Sequence, residues 1–100
     1  MLALTRCRVP AEEEASFLAV ARETLGLLAQ RDGFRRGHIG QAIEDATLWV
    51  LSSEWDAVGP YRRGLSAYDV KVAIAPLMPY VVGEPGAYET VAAHEALAGS

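Results

Sequence analysis

Four aromatic side chains in the middle of the chain are of the types that bind a flat aromatic ligand. Trp49 and Trp55 lie in a run of β-formers, and strand alternation places both on one face of a sheet. Tyr61 and Tyr68 follow at a spacing that shares a helical face if one helix spans both. Their hydroxyls can orient a ligand oxygen. Together these residues predict an apolar pocket with a phenolic donor, suited to an aromatic substrate on which negative charge develops.

A group that accepts the proton of such a substrate is expected among the histidines. His38 lies in a predicted strand, whereas His94 lies near the tail. Histidine is a common general base, and Gly37 and Gly40 leave room for a ligand near the backbone beside His38. Each candidate also has a purely structural interpretation. Aromatic residues on a strand and an adjoining helix usually form core, and a strand histidine usually lies at the surface or at a dimer contact.

The composition gives little support to other chemistries. The formal charge is −4, with 9 basic and 13 acidic residues, so nucleic acid is not an expected partner. One cysteine and two distant histidines make neither a disulfide nor a metal site. Cys7 is predicted to be a small buried hydrophobe, with Arg6 and Arg8 on the opposite face of its strand. No serine fits a nucleophile elbow, and no glycine-rich loop precedes a helix.

The elements that must position these residues follow the order β-α-β-β-α-β. Alternating β-formers predict the strands, and apolar residues at three-to-four spacing predict a helix after the first strand. The expected strands are residues 2–9, 34–43, 47–55 and 87–93, the first helix lies between Pro10 and Gly33, and a helical region spans residues 56–75.

The second helical region contains two start signals. Asp56 can cap a helix that begins near Pro60. Ser66 with Asp69 three residues later fits a capping box. The region is therefore expected to form either one helix or two short ones.

This order is typical of an α+β fold, the ferredoxin-like βαββαβ sheet with both helices on one face. The other face needs a cover, and a second copy in a two-fold homodimer is the expected one. We expect a single domain over residues 1–100, with residues 94–100 frayed. The start does not look like a signal peptide, and no run nears the roughly 18 apolar residues of a membrane span, so the expected location is cytoplasmic.

Several segments in order resemble the antibiotic biosynthesis monooxygenase family over most of the chain. They are Gly33-Phe34, residues 48–55 (LWVLSSEW), the stretch from Trp55 through Tyr61-Arg62 to Lys71, and residues 84–89 (EPGAYE). The resemblance implies a dimeric α+β barrel. Some members oxidise polycyclic phenols or anthrones to quinones with molecular oxygen and no metal or flavin. It thus implies a cofactor-independent monooxygenase that acts on an aromatic or polyketide-like molecule.

The resemblance extends unevenly to single residues. Quinone-forming members pair a strand-end tryptophan with a tyrosine six residues later, and Trp55 and Tyr61 fit that pair. The asparagine of those members aligns with Leu51, and this chain contains no asparagine. Their arginine aligns near Ala75. Haem-degrading members need a histidine where this chain has Ile74, so that activity is not expected.

The expected site therefore has two groups of residues. Tyr61, Trp55 and His38 are the catalytic candidates, and Trp49, Tyr68 and Leu51 are the substrate-binding candidates. No cofactor is expected. Two alternatives remain on the same fold: a non-catalytic small-molecule-binding or dimerisation module, and a polyketide cyclase-like pocket protein.

Overall fold

The computed structural model describes residues 1–84 and 86–97, and its elements follow the predicted order. The strands are β1 (Leu2–Arg8), β2 (Phe34–Gln41), β3 (Leu48–Trp55) and β4 (Gly86–Tyr88). The α-helices are α1 (Glu14–Leu28), α2 (Val58–Ser66) and α3 (Tyr68–Ile74), with 3-10 turns at Ala11–Glu13 and Ala75–Tyr80. The sheet order is β2-β3-β1-β4 and every pair is antiparallel, so the predicted ferredoxin-like α+β fold is confirmed.

Alternation along β3 decides which side chains meet the helices. Its buried members are Trp49, Leu51, Ser53 and Trp55, and the residues between them are half-buried. Phe17 of α1 packs on Trp49 with ring centroids 5.6 Å apart. The helices therefore cover this side of the sheet. The opposite side, which we call the open face, carries Leu4, Arg6, His38, Val50 and Tyr88.

Buried apolar side chains form two clusters on the helix-covered side. One contains Trp49 with Phe17 and Leu77, and the other contains Trp55 with Leu28 and Val70. Cys7 is fully buried in the first cluster, and burial raises the pKa of its thiol. This confirms the prediction that Cys7 is a small hydrophobe.

The second helical region is two helices rather than one. The backbone of Ala67 has ψ 137°, which ends α2 before α3 begins. The predicted caps are wrong, because their side chains have other partners. Asp56 accepts a 2.6 Å hydrogen bond from Arg35, Asp69 accepts one of 2.7 Å from Arg31, and Ser66 donates to the carbonyl of Arg62.

Several elements end earlier than the sequence predicts. Helix α1 stops at Leu28, where tight backbone turns through residue 31 replace the helical bonds, and β2 stops at Gln41. The last strand ends at Tyr88, not at residue 93. Tyr88 pairs with Leu2, where β1 begins, so no strand residue is left to pair beyond it. Residues 91–97 are exposed, and residues 98–100 of the predicted frayed tail lie outside the described residues.

Two glycines near the C-terminal end of α1 are expected to change the stability in opposite directions when each is replaced by alanine. Gly33 has φ 88°, and a Cβ there would lie 2.5 Å from Cβ of Pro60. We expect Gly33→Ala to lower the free energy of unfolding by about 1–3 kcal/mol. Gly26, inside α1, has no described atom within 4 Å of an added Cβ, so Gly26→Ala should raise it by about 0.5–1 kcal/mol. Urea unfolding of both variants measures this, and a shift of the same sign in both would contradict it.

Candidate active site

A narrow cleft lies between the helix-covered side of the sheet and the helices. Its volume is about 50 Å³. We call it the inner cleft. It is lined by Ala3, Thr5, Thr24, Leu25, Leu28, Leu51, Ser52, Ser53, Tyr61, Leu65, Ile74 and Leu77.

Small residues on three neighbouring strands lie side by side next to the inner cleft. Ser53 of β3 pairs with Gly37 of β2 on one side and with Ala3 of β1 on the other. Larger residues, Trp55 and Leu51, flank this row along β3. Ser53 and Ala3 line the cleft, whereas Leu25 packs over Gly37.

Gly37 has a steric role in this row. An added Cβ would lie 2.7 Å from Cδ1 of Leu25, 3.1 Å from Cζ of Phe34 and 3.1 Å from the backbone oxygen of Ser52. The backbone oxygen cannot move aside cheaply. The atoms around Gly37 therefore leave no room for a side chain.

Trp55 forms the wall at one end of this row. Its ring meets Phe34 edge-on at 5.2 Å and Tyr61 at 5.8 Å between centroids. Its indole Nε1–H donates a 2.9 Å hydrogen bond to Oγ of Ser53. Gly64 lets α2 come close, because a Cβ there would lie 3.0 Å from Cη2 of Trp55.

Tyr61 brings the phenol of α2 to the inner cleft. The side chain is half-buried, and burial raises the pKa of its hydroxyl above the ordinary value of 10.0. At neutral pH the hydroxyl is therefore protonated and acts as a hydrogen-bond donor rather than as a base. The other polar side chains that line the cleft are also hydroxyls, and none of the described lining residues carries a carboxylate, an imidazole or an amine.

Of the predicted binding residues, the structure brings Leu51 to the inner cleft beside Tyr61. Trp49 lies on the same side of the sheet but in the other cluster of the core, against Phe17. Its Nε1 is buried and has no hydrogen-bond partner within residues 1–84 and 86–97. Tyr68 is 83% exposed, because the break at Ala67 separates α3 from the helix that carries Tyr61. Trp49 and Tyr68 therefore do not join the predicted aromatic pair.

A bulge places His38 on the opposite side of the sheet. Phe34 pairs with Trp55 and Arg36 with Glu54, so two steps along β2 match one step along β3. Phe34 packs on Trp55 below the helices, yet His38 pairs with Ser52 on the open face. Simple alternation from Phe34 would have pointed His38 into the inner cleft. The structure does not bring this predicted base to Tyr61.

Ser53 is a polar group at this site that the sequence reasoning did not single out. It is 8% exposed and shares the helix-covered side with Trp55. The alternation that pairs Trp49 with Trp55 also places Ser53 between them, so the signal was present in the sequence.

The open face holds a larger groove than the inner cleft. Its volume is about 490 Å³. Its lining residues include Leu4, Arg6, Gly40, Val50 and Tyr88. Leu4 and Tyr88 are 40% and 55% exposed. This face is therefore apolar over part of its area and lacks a cover within the described chain.

These features together define the class of protein. It is a ferredoxin-like α+β domain with a hydroxyl-lined cleft between the sheet and the helices. The family model for antibiotic biosynthesis monooxygenase matches residues 1–63, from β1 into α2. That match covers more than half of the chain and includes Trp55 and Tyr61. The chain belongs to the antibiotic biosynthesis monooxygenase family.

Solved structures share this fold at low sequence identity. SnoaB, a cofactor-independent oxygenase from Streptomyces nogalater, is 21% identical, with 97% of this chain and 95% of that chain covered and a TM-score of 0.79. A Deinococcus radiodurans protein assigned to the antibiotic biosynthesis monooxygenases is 19% identical, with 96% and 97% covered and a TM-score of 0.82. One from Nitrosomonas europaea is 13% identical, with 90% and 88% covered and a TM-score of 0.77. No curated protein matches the chain.

Within residues 1–84 and 86–97, none of the helices combines the length and the apolar character needed to span a bilayer. The same residues hold no cluster of three or more histidine, cysteine or acidic side chains that could bind a metal ion.

Proposed function

We propose that this protein is a cofactor-independent oxygenase that binds an anthrone-like or phenolic substrate in the inner cleft and oxidises it with molecular oxygen. One observation carries the proposal: Tyr61 lines a cleft whose other lining residues are mostly aliphatic, and its ring packs against Trp55. A protonated phenol in apolar surroundings stabilises a developing oxyanion more strongly than water does. Membership of the family supports the reaction type.

The reaction needs no external reductant. Loss of a proton from the methylene carbon of an anthrone leaves an anion whose charge is shared with the ring oxygen. That carbon then gives up four electrons in becoming a carbonyl, and oxygen accepts all four. One oxygen atom enters the new carbonyl and the other leaves as water, so the methylene and oxygen balance against the carbonyl and water. Tyr61 donates a hydrogen bond to the substrate oxygen that carries the charge.

The substrate must lose its proton without the help of a protein base in the inner cleft. The described lining residues carry hydroxyls but no group that is basic at neutral pH, and His38 lies on the open face. The proposed substrate class is therefore one acidic enough to pass its proton to water once a donor stabilises the anion. Anthrones and polyhydroxylated aromatics meet this requirement.

Substrate binding requires the inner cleft to widen. Its volume of about 50 Å³ is smaller than the roughly 150 Å³ of a cavity that admits benzene. Helix α2 is the element suited to move. It holds Gly59, Pro60 and Gly64 within nine residues, and neither end has a side-chain cap among the described residues. We propose that a ligand enters as α2 and its Tyr61 and Leu65 shift away from the sheet.

A second copy of the chain is the proposed cover of the open face. The exposed apolar groups there lie on the central strand β1 and the edge strand β4, beside half-buried Val50 of β3. Packing two such sheets about a two-fold axis removes this surface from water in both copies. The proposed enzyme is therefore a homodimer with one inner cleft in each subunit.

Oxygen uptake with an anthrone tests the proposed function. The wild-type protein should consume oxygen and form the quinone. Tyr61→Phe removes the donor but keeps the ring, and should lower the rate at least about tenfold. Tyr68→Phe, the same change at a mostly exposed tyrosine of α3, is the matched control and should leave the rate unchanged. A wild-type rate no higher than that of the anthrone in buffer would contradict the proposal.

One observation favours a second candidate, the non-catalytic binding or dimerisation module. The inner cleft is nearly closed, and Leu51 stands where quinone-forming relatives are expected to carry asparagine. For such a module, an aromatic ligand would raise the melting temperature without oxygen uptake. Rearrangement of a polyketide-like substrate without oxygen uptake would instead indicate the cyclase-like alternative.

A further inference from the structure

We infer that Ser53 is a second hydrogen-bond donor to the substrate oxygen and that Trp55 fixes its direction. This inference rests on the proposed function, since it names a further residue that binds the ionised substrate in the same cleft. It assigns Trp55 a positioning role that is separate from its role as an apolar wall.

The direction of the hydrogen bond at Ser53 follows from the chemistry of the two groups. An indole N–H can donate but cannot accept. In the 2.9 Å contact Ser53 Oγ is therefore the acceptor and Trp55 Nε1 the donor. The proton of Ser53 must point elsewhere, and no acceptor receives it among the residues that the structure describes.

The surroundings of Ser53 direct its hydroxyl proton into the inner cleft. The side chain is 8% exposed and lines the inner cleft. Its partners across the sheet, Gly37 and Ala3, offer no side-chain acceptor. A buried hydroxyl without an acceptor is costly, so a ligand oxygen that accepts from it gains affinity.

Another hydroxyl of the cleft is engaged differently. Thr24 Oγ1 donates to the backbone oxygen of Val20 at 2.9 Å, which occupies its proton within α1. Of the other hydroxyls that line the cleft, those of Ser53 and Tyr61 belong to residues that contact the same indole: Ser53 through Nε1, and Tyr61 through its ring. Trp55 thus holds two donors beside one cleft, an arrangement that suits a single oxygen carrying negative charge.

The ionisation of a bound chromogenic phenol tests this assignment without turnover. The probes are para-nitrophenol, a nitronaphthol and a hydroxyanthraquinone, which offer one, two and three rings. The absorbance of each probe, titrated with and without protein, gives the pKa of the bound phenol. Because Ser53 donates to the anion, Ser53→Ala should raise that pKa by about one unit, or about tenfold in the preference for phenolate.

Two variants separate this role from a structural one. Ser53→Thr keeps the hydroxyl and should restore the bound pKa. Ser16→Ala makes the same chemical change at an exposed position of α1 that does not line the inner cleft, and should leave it unchanged. Melting curves of all variants check that each is folded.

The outcomes distinguish the inference from the function on which it rests. If the wild-type protein binds a probe and lowers its pKa, but Ser53→Ala does the same, the role of Ser53 is wrong and the proposed function stands. An equal shift in Ser16→Ala and Ser53→Ala also overturns it. If the wild-type protein binds none of the three probes, the proposed function fails and the inference fails with it.

Discussion

Replacing Trp55 with alanine is expected to destabilise the fold by about 3–5 kcal/mol. The side chain is 1% exposed and packs on Phe34, Tyr61 and Gly64, so its removal leaves a cavity that small neighbours cannot fill. It also leaves Ser53 without its indole donor. Urea unfolding followed by circular dichroism measures the loss, which corresponds to a change of roughly 10² to several times 10³ in the folding equilibrium.

Tyr68→Ala is the matched control for this experiment. It deletes an aromatic ring that is mostly exposed on α3, and should change the free energy of unfolding by less than about 0.5 kcal/mol. Similar losses in the two variants would contradict the assignment of Trp55 to the core and of Tyr68 to the surface. The Trp55 variant should still bury Trp49, whose cluster lies at the other end of the sheet.

Placing a lysine at Val50 is expected to convert a dimer into a monomer. Val50 lies on a central strand of the open face, between Arg6 of β1 and Gly40 of β2. A lysine there adds charge beside Arg6, and a two-fold axis repeats both charges in the interface. Since burying an unpaired charge costs several kcal/mol, Val50→Lys should weaken dimerisation at least about a hundredfold.

Sedimentation velocity over a range of protein concentrations measures this effect. Val72→Lys makes the same substitution at an exposed position of α3, on the helix side of the molecule, and should leave the dimer intact. A wild-type protein that sediments as a monomer throughout, or a Val50→Lys variant that dimerises as tightly as the wild type, would refute a homodimer through the open face.

Local patterns were sufficient to predict most of the fold. The alternation in residues 48–55 and the three-to-four spacing in α1 depend on near neighbours in the chain, and both elements were found where expected. The contact between Trp55 and Tyr61 was also predictable, because a strand end and the following helix cannot lie far apart. The two caps were predicted wrongly because the side chains of Asp56 and Asp69 pair with distant arginines, and neither of them caps the start of its helix.

The sequence is therefore sufficient to predict the order of the elements, the face of β3 that carries Trp49 and Trp55, and the aromatic pair at the end of β3. Which residues line the cleft depends on tertiary packing. One bulged residue in β2 turned His38 to the open face, and the break at Ala67 parted Tyr68 from Tyr61. Both depend on how strands and helices register against each other. The same register set Gly37, Ser53 and Ala3 side by side, and no pattern within a single segment specifies which small residues meet across a sheet.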